Sequence, residues 1–155
     1  MDVLIGIDPG AVSGAYAILT RRGRFICVDD IPVMNKMLDA KLFASQLDQF
    51  CAATTSAHVI LEQVHAFSGQ GVSSSFRFGV GYGIIQGICG AFDLSVSFVR
   101  PQVWKKSLKL DREAETSLCM ARDLYPDAVP YLKRKRDHNR AEAILLAHWG
   151  LNYAA

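Results

Sequence analysis

Three short stretches carry acidic groups where a single cation site could assemble. They are Leu4-Ile5-Gly6-Ile7-Asp8-Pro9-Gly10, Val59-Ile60-Leu61-Glu62-Gln63 and Asp137-His138-Asn139-Arg140-Ala141-Glu142. In the first, an apolar run from Val3 to Ile7 delivers Asp8 directly before Pro9-Gly10. A carboxylate at the mouth of a buried strand, beside a glycine turn, does little for packing and is well placed to hold a divalent cation. In the second stretch, Glu62 ends a run of three aliphatic residues. Mg2+ and Mn2+ take oxygen ligands. Phosphodiester hydrolysis needs an activated water and a stabilised leaving oxygen, and two cations about 3.5–4 Å apart serve both. Asp8 is the bridging candidate for two such ions, with Glu62 holding one of them from an adjacent strand.

The third stretch offers several further ligands, and helix geometry sorts them. At about 100° per residue, His138 and Glu142 lie about 40° apart on one face. Asp137 and Glu142 are about 140° apart, so both converge only if Asp137 precedes the helix. Asn139 faces the same way as Glu142 but is a weak ligand. Asp137 is also a good helix cap, and an Asp before Pro-Gly is also a good turn residue. Glu142 is the candidate from this helix; Asp137 and His138 compete for a fourth place.

The elements that must position these groups follow from periodicity. Apolar runs predict strands near 2–8, 13–20, 24–30, 58–62 and 95–99, with a polar hairpin at Arg21-Arg22-Gly23-Arg24. Helical spacing predicts helices near 38–53, 75–92, 112–124 and 138–151, and Pro101 opens a short one through Leu108. The expected fold is α/β: a five-stranded mixed sheet, made of an antiparallel meander and two later strands, with helices on both faces. The first and fourth strands then lie side by side. Asp8 and Glu62 end on neighbours, and the last helix lays Glu142 over them.

Composition sets the outer limits. A chain of 155 residues, half hydrophobic and 21% charged, suits one globular domain spanning 1–155. The net charge of +2 identifies no partner, but residues 100–140 hold eleven Lys or Arg against six Asp or Glu. That local excess suits a polyanion. Cys27, Cys51, Cys89 and Cys119 show no C-x-x-C spacing, so they read as reduced core thiols rather than a zinc or redox motif. No signal peptide and no apolar run of membrane-spanning length is visible, so a cytoplasmic protein without a membrane partner is expected. Gly79-Val80-Gly81-Tyr82-Gly83 lacks the preceding strand and later acid of a dinucleotide fingerprint, and no phosphate-binding P-loop is present. No nucleotide cofactor is expected.

Four motifs in order then carry a resemblance: Gly6-Ile7-Asp8-Pro9-Gly10 with Gly14, Leu61-Glu62-Gln63-Val64, Pro101-Gln102-Val103-Trp104-Lys105, and Arg140-Ala141-Glu142-Ala143. With them the chain resembles a RuvC-type Holliday junction resolvase (crossover junction endodeoxyribonuclease) of the ribonuclease H-like superfamily. The resemblance covers nearly the whole chain. It implies a homodimer that binds four-way DNA junctions and nicks two strands symmetrically; a bacterial or phage-encoded cytoplasmic protein is expected. It implies Mg2+-dependent hydrolysis, with Mn2+ able to substitute, leaving 5′-phosphate and 3′-hydroxyl ends. By position, Asp8 and Glu62 match the first two catalytic acids and Glu142 the last, often Asp in the family. The preceding acid is usually Asp, three or four residues earlier, where this chain has Asn139 and His138, with Asp137 one step further away. Two other readings stay open: a ribonuclease H-like nuclease acting on RNA, and a non-catalytic junction-binding protein.

Further expectations concern the substrate and the partner copy. Lys105 and Arg112 resemble the family's basic residues near the scissile phosphate, and Lys106 and Lys109 lie between them. Lys133, Arg134, Lys135, Arg136 and Arg140 are read as phosphate contacts. His65, Phe67 and Phe76 are candidates for a wedge that holds the junction open. Gly79, Gly83 and Gly87 share one side of a helix at a cost in helix stability, which close approach of a second backbone would offset. That helix, with Phe78, Tyr82 and Ile85, is the expected dimer interface.

Overall fold

The run that delivers Asp8 becomes strand β1 (Asp2–Asp8), and every residue of it after Asp2 is buried. An apolar run without alternation marks a strand covered on both faces, and here β1 is the centre of the sheet. The computed structural model describes residues 1–10, 13–65, 69 and 71–153. β2 (Ala15–Thr20) and β3 (Phe25–Asp30) complete an antiparallel meander with β1. A two-stranded ribbon follows, β4 (Val33–Met34) with β5 (Met37–Leu38). β6 (Ser56–Glu62) and β7 (Ser95–Val99) then add in parallel on the other side of β1. The sheet order is β3-β2-β1-β6-β7; it is a five-stranded mixed sheet in which β1 and β6 lie side by side, as expected. Among the described residues, no helix is long and apolar enough to cross a membrane.

Alternation along the strands divides the core. One face of the sheet carries Val3, Ile5, Ile7, Val59 and Leu61 towards α1 (Ala40–Cys51) and α2 (Val72–Ala91). Asp39 caps α1, its carboxylate accepting the Leu42 amide at 3.0 Å. The other face carries Leu4 and Ile60 towards α4 (Ala114–Leu124), α5 (His138–Tyr153) and Trp104 of α3 (Pro101–Ser107). Successive side chains in a strand point to opposite faces. Asp8 therefore shares the face of Leu4 and Gly6, and Glu62 shares the face of Ile60, both on the α5 side.

Gly6 makes this arrangement possible. A Cβ there would lie 2.1 Å from the Ala143 carbonyl oxygen and 2.6 Å from the Ala147 amide nitrogen. Backbone therefore rests on backbone where α5 crosses β1. Gly150 repeats the contact over β6, where a Cβ would lie 2.7 Å from Ile60 Cγ1. With Ala143, Ala147 and Gly150 facing the sheet, α5 sits close enough to bring Glu142 down beside the ends of β1 and β6.

The sequence reading differs from the structure in detail. The β4–β5 ribbon was not anticipated; Asn35 and Lys36 turn it with φ of 53° and 62°, the left-handed pair that a tight hairpin requires. α2 begins at Val72, three residues before expectation. Lys135–Asp137 forms a short 3-10 turn that leads straight into α5.

Candidate active site

Three carboxylates from three elements share one buried neighbourhood at the C-terminal end of the parallel strands. The β1–β6 register sets Ile7 opposite Leu61, so Asp8 and Glu62 follow side by side. Each is only 8% exposed. Glu142 lies one turn into α5 and its side chain is 12% exposed. Burial pushes the Asp8 carboxyl well above its ordinary range, and the charges of Glu62 and Glu142 push it further; the Lys105 charge opposes them. Glu62 is also raised, by burial and by Glu142, against the opposing effects of a Trp104 hydrogen bond and the Lys105 charge.

Two of the three are held by specific donors. The indole N–H of Trp104 donates to Glu62 Oε2 at 2.7 Å. Lys105 Nζ donates to Glu142 Oε1 at 2.7 Å, and Ser117 Oγ donates to the same oxygen at 3.2 Å. The ammonium also lies 5.3 Å from the Trp104 ring centroid, within cation–π range. The sequence reading gave no role to Trp104 or Ser117. The one available signal was that a buried indole N–H needs an acceptor.

This donor set fits an oxygen-seeking divalent cation. Like charges crowded away from water raise one another's pKa, and one ammonium cannot neutralise three carboxylates. Asp8, Glu62 and Glu142 are the residues that would hold such an ion. Among the described residues, no three acidic, histidine or cysteine side chains already form a finished metal cage; Glu62 and Glu142 are turned to their protein donors instead.

The remaining candidates stand apart. Asp137 is 4% exposed but faces Arg134, accepting from its backbone amide at 2.8 Å and its guanidinium at 2.7 Å. Burial works against ionisation of Asp137, yet these hydrogen bonds and the Arg134 and Arg140 charges outweigh it and hold the carboxyl below its usual range. The charges that act on Asp8 are those of Glu62, Glu142 and Lys105. His138 Nδ1 lies 3.2 Å from the Lys135 carbonyl oxygen. Asn139, one turn before Glu142, donates from Nδ2 to the Ser13 carbonyl oxygen.

Among the expected DNA contacts, Lys105, Lys106, Lys109 and Arg112 line one cleft of about 830 Å³ with Pro101, Gln102, Leu110 and Asp111. Lys133, Lys135 and Arg136 are exposed, whereas Arg134 is engaged by Asp137. Arg140 departs from the expectation of a free phosphate contact. It grips Asp30 with two bonds of 2.7 and 2.8 Å and is only 16% exposed, so it ties α5 to β3.

Of the wedge candidates, His65 is exposed and lines a second cleft of about 810 Å³ with Arg100, Gln102, Val103, Lys106 and Ser107. Phe76 is 70% exposed. Phe67 lies outside the described residues. On α2, a Cβ added at Gly79, Gly83 or Gly87 would meet nothing within 4 Å among the described residues, which leave this face open. Phe78 and Tyr82 are half-buried. Ile85 is corrected: it is 1% exposed and packs in the core beneath α2, because it points to the sheet rather than along the glycine face.

The fold is that of the RuvC-type resolvases. Among solved structures the chain is similar to T. thermophilus RuvC in complex with a Holliday junction substrate, with a TM-score of 0.74 and 17% identity over 99% of this chain and 95% of that one. It is also similar to the yeast mitochondrial Holliday junction resolvase Ydc2, with a TM-score of 0.59 and 12% identity over 96% of this chain and 77% of that one. In sequence, 50 residues are 42% identical to the chloroplastic Holliday junction resolvase MOC1 of Chlamydomonas reinhardtii; they make up 31% of this chain and 6% of that protein. No protein-family model matches the chain.

Proposed function

We propose that this chain is a structure-selective endodeoxyribonuclease that resolves four-way DNA junctions by symmetric, Mg2+-dependent hydrolysis, leaving 5′-phosphate and 3′-hydroxyl ends. The observation that carries the reading is the convergence of Asp8, Glu62 and Glu142 around Lys105 on a fold shared with junction resolvases. When bound, Mg2+ or Mn2+ activates water and neutralises charge on the phosphate, two ions serving the attacking and leaving oxygens. Asp8, Glu62 and Glu142 would hold these ions, with Asp8 central between the other two. His138 and Asp137 remain the fourth-ligand candidates, and the present side-chain engagements favour His138 over the Arg134-bound Asp137.

The chain's own cations have separable tasks. Once a metal engages Glu142, Lys105 is free to turn to a non-bridging phosphate oxygen, where it stabilises the charge that develops in the transition state. Lys106, Lys109 and Arg112 hold the backbone of the same strand in the adjoining cleft, and Lys133, Lys135 and Arg136 extend that contact. His65 and Phe76 are exposed, and they, with Phe67, are the candidates for the wedge that would hold an opened junction. Two copies of this nuclease domain meeting along the glycine face of α2 supply the two active sites that symmetric nicking needs.

The test is an end-labelled four-way junction, a linear duplex and an RNA–DNA hybrid, each incubated with and without Mg2+. Paired nicks on the junction alone, with Mg2+ alone, are expected. Cleavage confined to the hybrid would replace the reading with an RNA-directed nuclease. Tight junction binding that Mg2+ never converts into nicks would leave a binding protein.

A further inference from the structure

Trp104 occupies an unusual position for a core residue. It is fully buried and belongs to the cluster beneath α4 and α5, yet its one polar atom is spent on Glu62 Oε2 at 2.7 Å. Among the described residues, Glu62 Oε1 carries no hydrogen bond, so the indole engages one oxygen of the carboxylate and leaves the other to a ligand. The indole face supports the Lys105 ammonium at 5.3 Å. Pro101 at the first turn of α3 presets the helix that aims the ring. A large side chain needed only for packing could be Phe or Leu; an N–H directed at a carboxylate is a chemical requirement.

We infer that Trp104 is a positioning residue: its indole N–H fixes the rotamer of Glu62, so that Glu62 meets the cation with a single prearranged oxygen. Partners that orient a ligand from behind commonly matter about 10–100-fold in metal affinity or activity. The inference rests on the proposed metal site and adds to it a donor outside the acidic set.

The experiment removes the N–H in two ways. Trp104→Phe keeps an aromatic ring at the site. Site-specific replacement of Trp104 by β-(3-benzothienyl)alanine keeps the bicyclic shape and exchanges only N–H for sulfur. Mn2+ binding to the DNA-free protein is measured by electron paramagnetic resonance, and Tm is recorded alongside. Both variants are expected to bind Mn2+ about tenfold more weakly than the native chain, with the benzothienyl protein melting as the native one does. Native-like Mn2+ affinity in the benzothienyl protein overturns the inference, whatever Trp104→Phe does. The metal site itself is judged separately. If the native chain holds no Mn2+ that Asp8→Asn abolishes, the proposed site falls and takes this inference with it.

Discussion

Lys105 Nζ lies 2.7 Å from Glu142 Oε1, an ammonium lodged among three carboxylates at the ends of β1, β6 and the first turns of α5. The pair is largely withdrawn from water, with side-chain exposures of 21% and 12%. A cation so placed holds Glu142 before a metal arrives and is within reach of whatever anion enters next. Lys105→Ala is expected to lower single-turnover junction cleavage about 10²–10³-fold, the scale of losing one transition-state donor. Junction affinity in Ca2+ should change only a few-fold. Lys109→Ala should do the reverse, sparing turnover and lowering the salt slope of binding by about 1. Native cleavage by Lys105→Ala would remove Lys105 from the chemistry.

Asp8 makes a second claim testable without DNA. Its carboxyl is raised well above the ordinary carboxylate range by burial and by the charges of Glu62 and Glu142. A group raised on folding stabilises the protein fully below its unfolded pKa, and that contribution is lost as pH rises through the folded value. At pH 7.5 in chelator, the charged Asp8 is therefore a cost. Asp8→Asn should melt a few degrees higher than native there, and the gap should close towards pH 4. Adding Mg2+ or Mn2+ should raise the native Tm and leave the variant unmoved. A variant that melts lower than native at pH 7.5 in chelator would contradict the crowded-charge reading.

Two glycines separate the fold from the association. Gly6→Ala drives a methyl into the Ala143 carbonyl, which no rotamer change relieves. Overpacking costs typically about 1–3 kcal/mol and more where backbone must move, so a large loss in urea midpoint is expected. Gly83→Ala meets nothing within 4 Å among the described residues and should stabilise α2 by about 1 kcal/mol through helix propensity. If α2 joins two copies, the same change weakens self-association in sedimentation equilibrium. An unchanged dimer would move the interface elsewhere.

Asp8 and Glu62 were legible in the sequence because each ends an uninterrupted apolar strand, where a carboxylate has no packing reason to be. Their adjacency followed from strand order alone. Glu142 was legible as a site residue from its motif, but its descent onto β1 depends on Gly6 against Ala143 and Ala147, a contact between residues more than 130 positions apart. Long-range polar partners were not legible. Arg140 looks like one more cation in a basic stretch until Asp30, 110 residues away, closes on it. Ile85 is near the glycines in sequence, but two residues after Gly83 is about 200° round the helix, so it faces the sheet. The ribbon at Asn35-Lys36 escaped because the turn uses left-handed residues without a glycine to mark it.

The most direct measurement is a crystal soaked in Mn2+ with anomalous data collected. Metal peaks at about 2.0–2.2 Å from Asp8, shared with Glu62 and Glu142, are expected, with Lys105 released from Glu142. Strong peaks elsewhere on the protein, or none, with Glu142 still bound to Lys105 and Asp8 without a metal, would contradict the site.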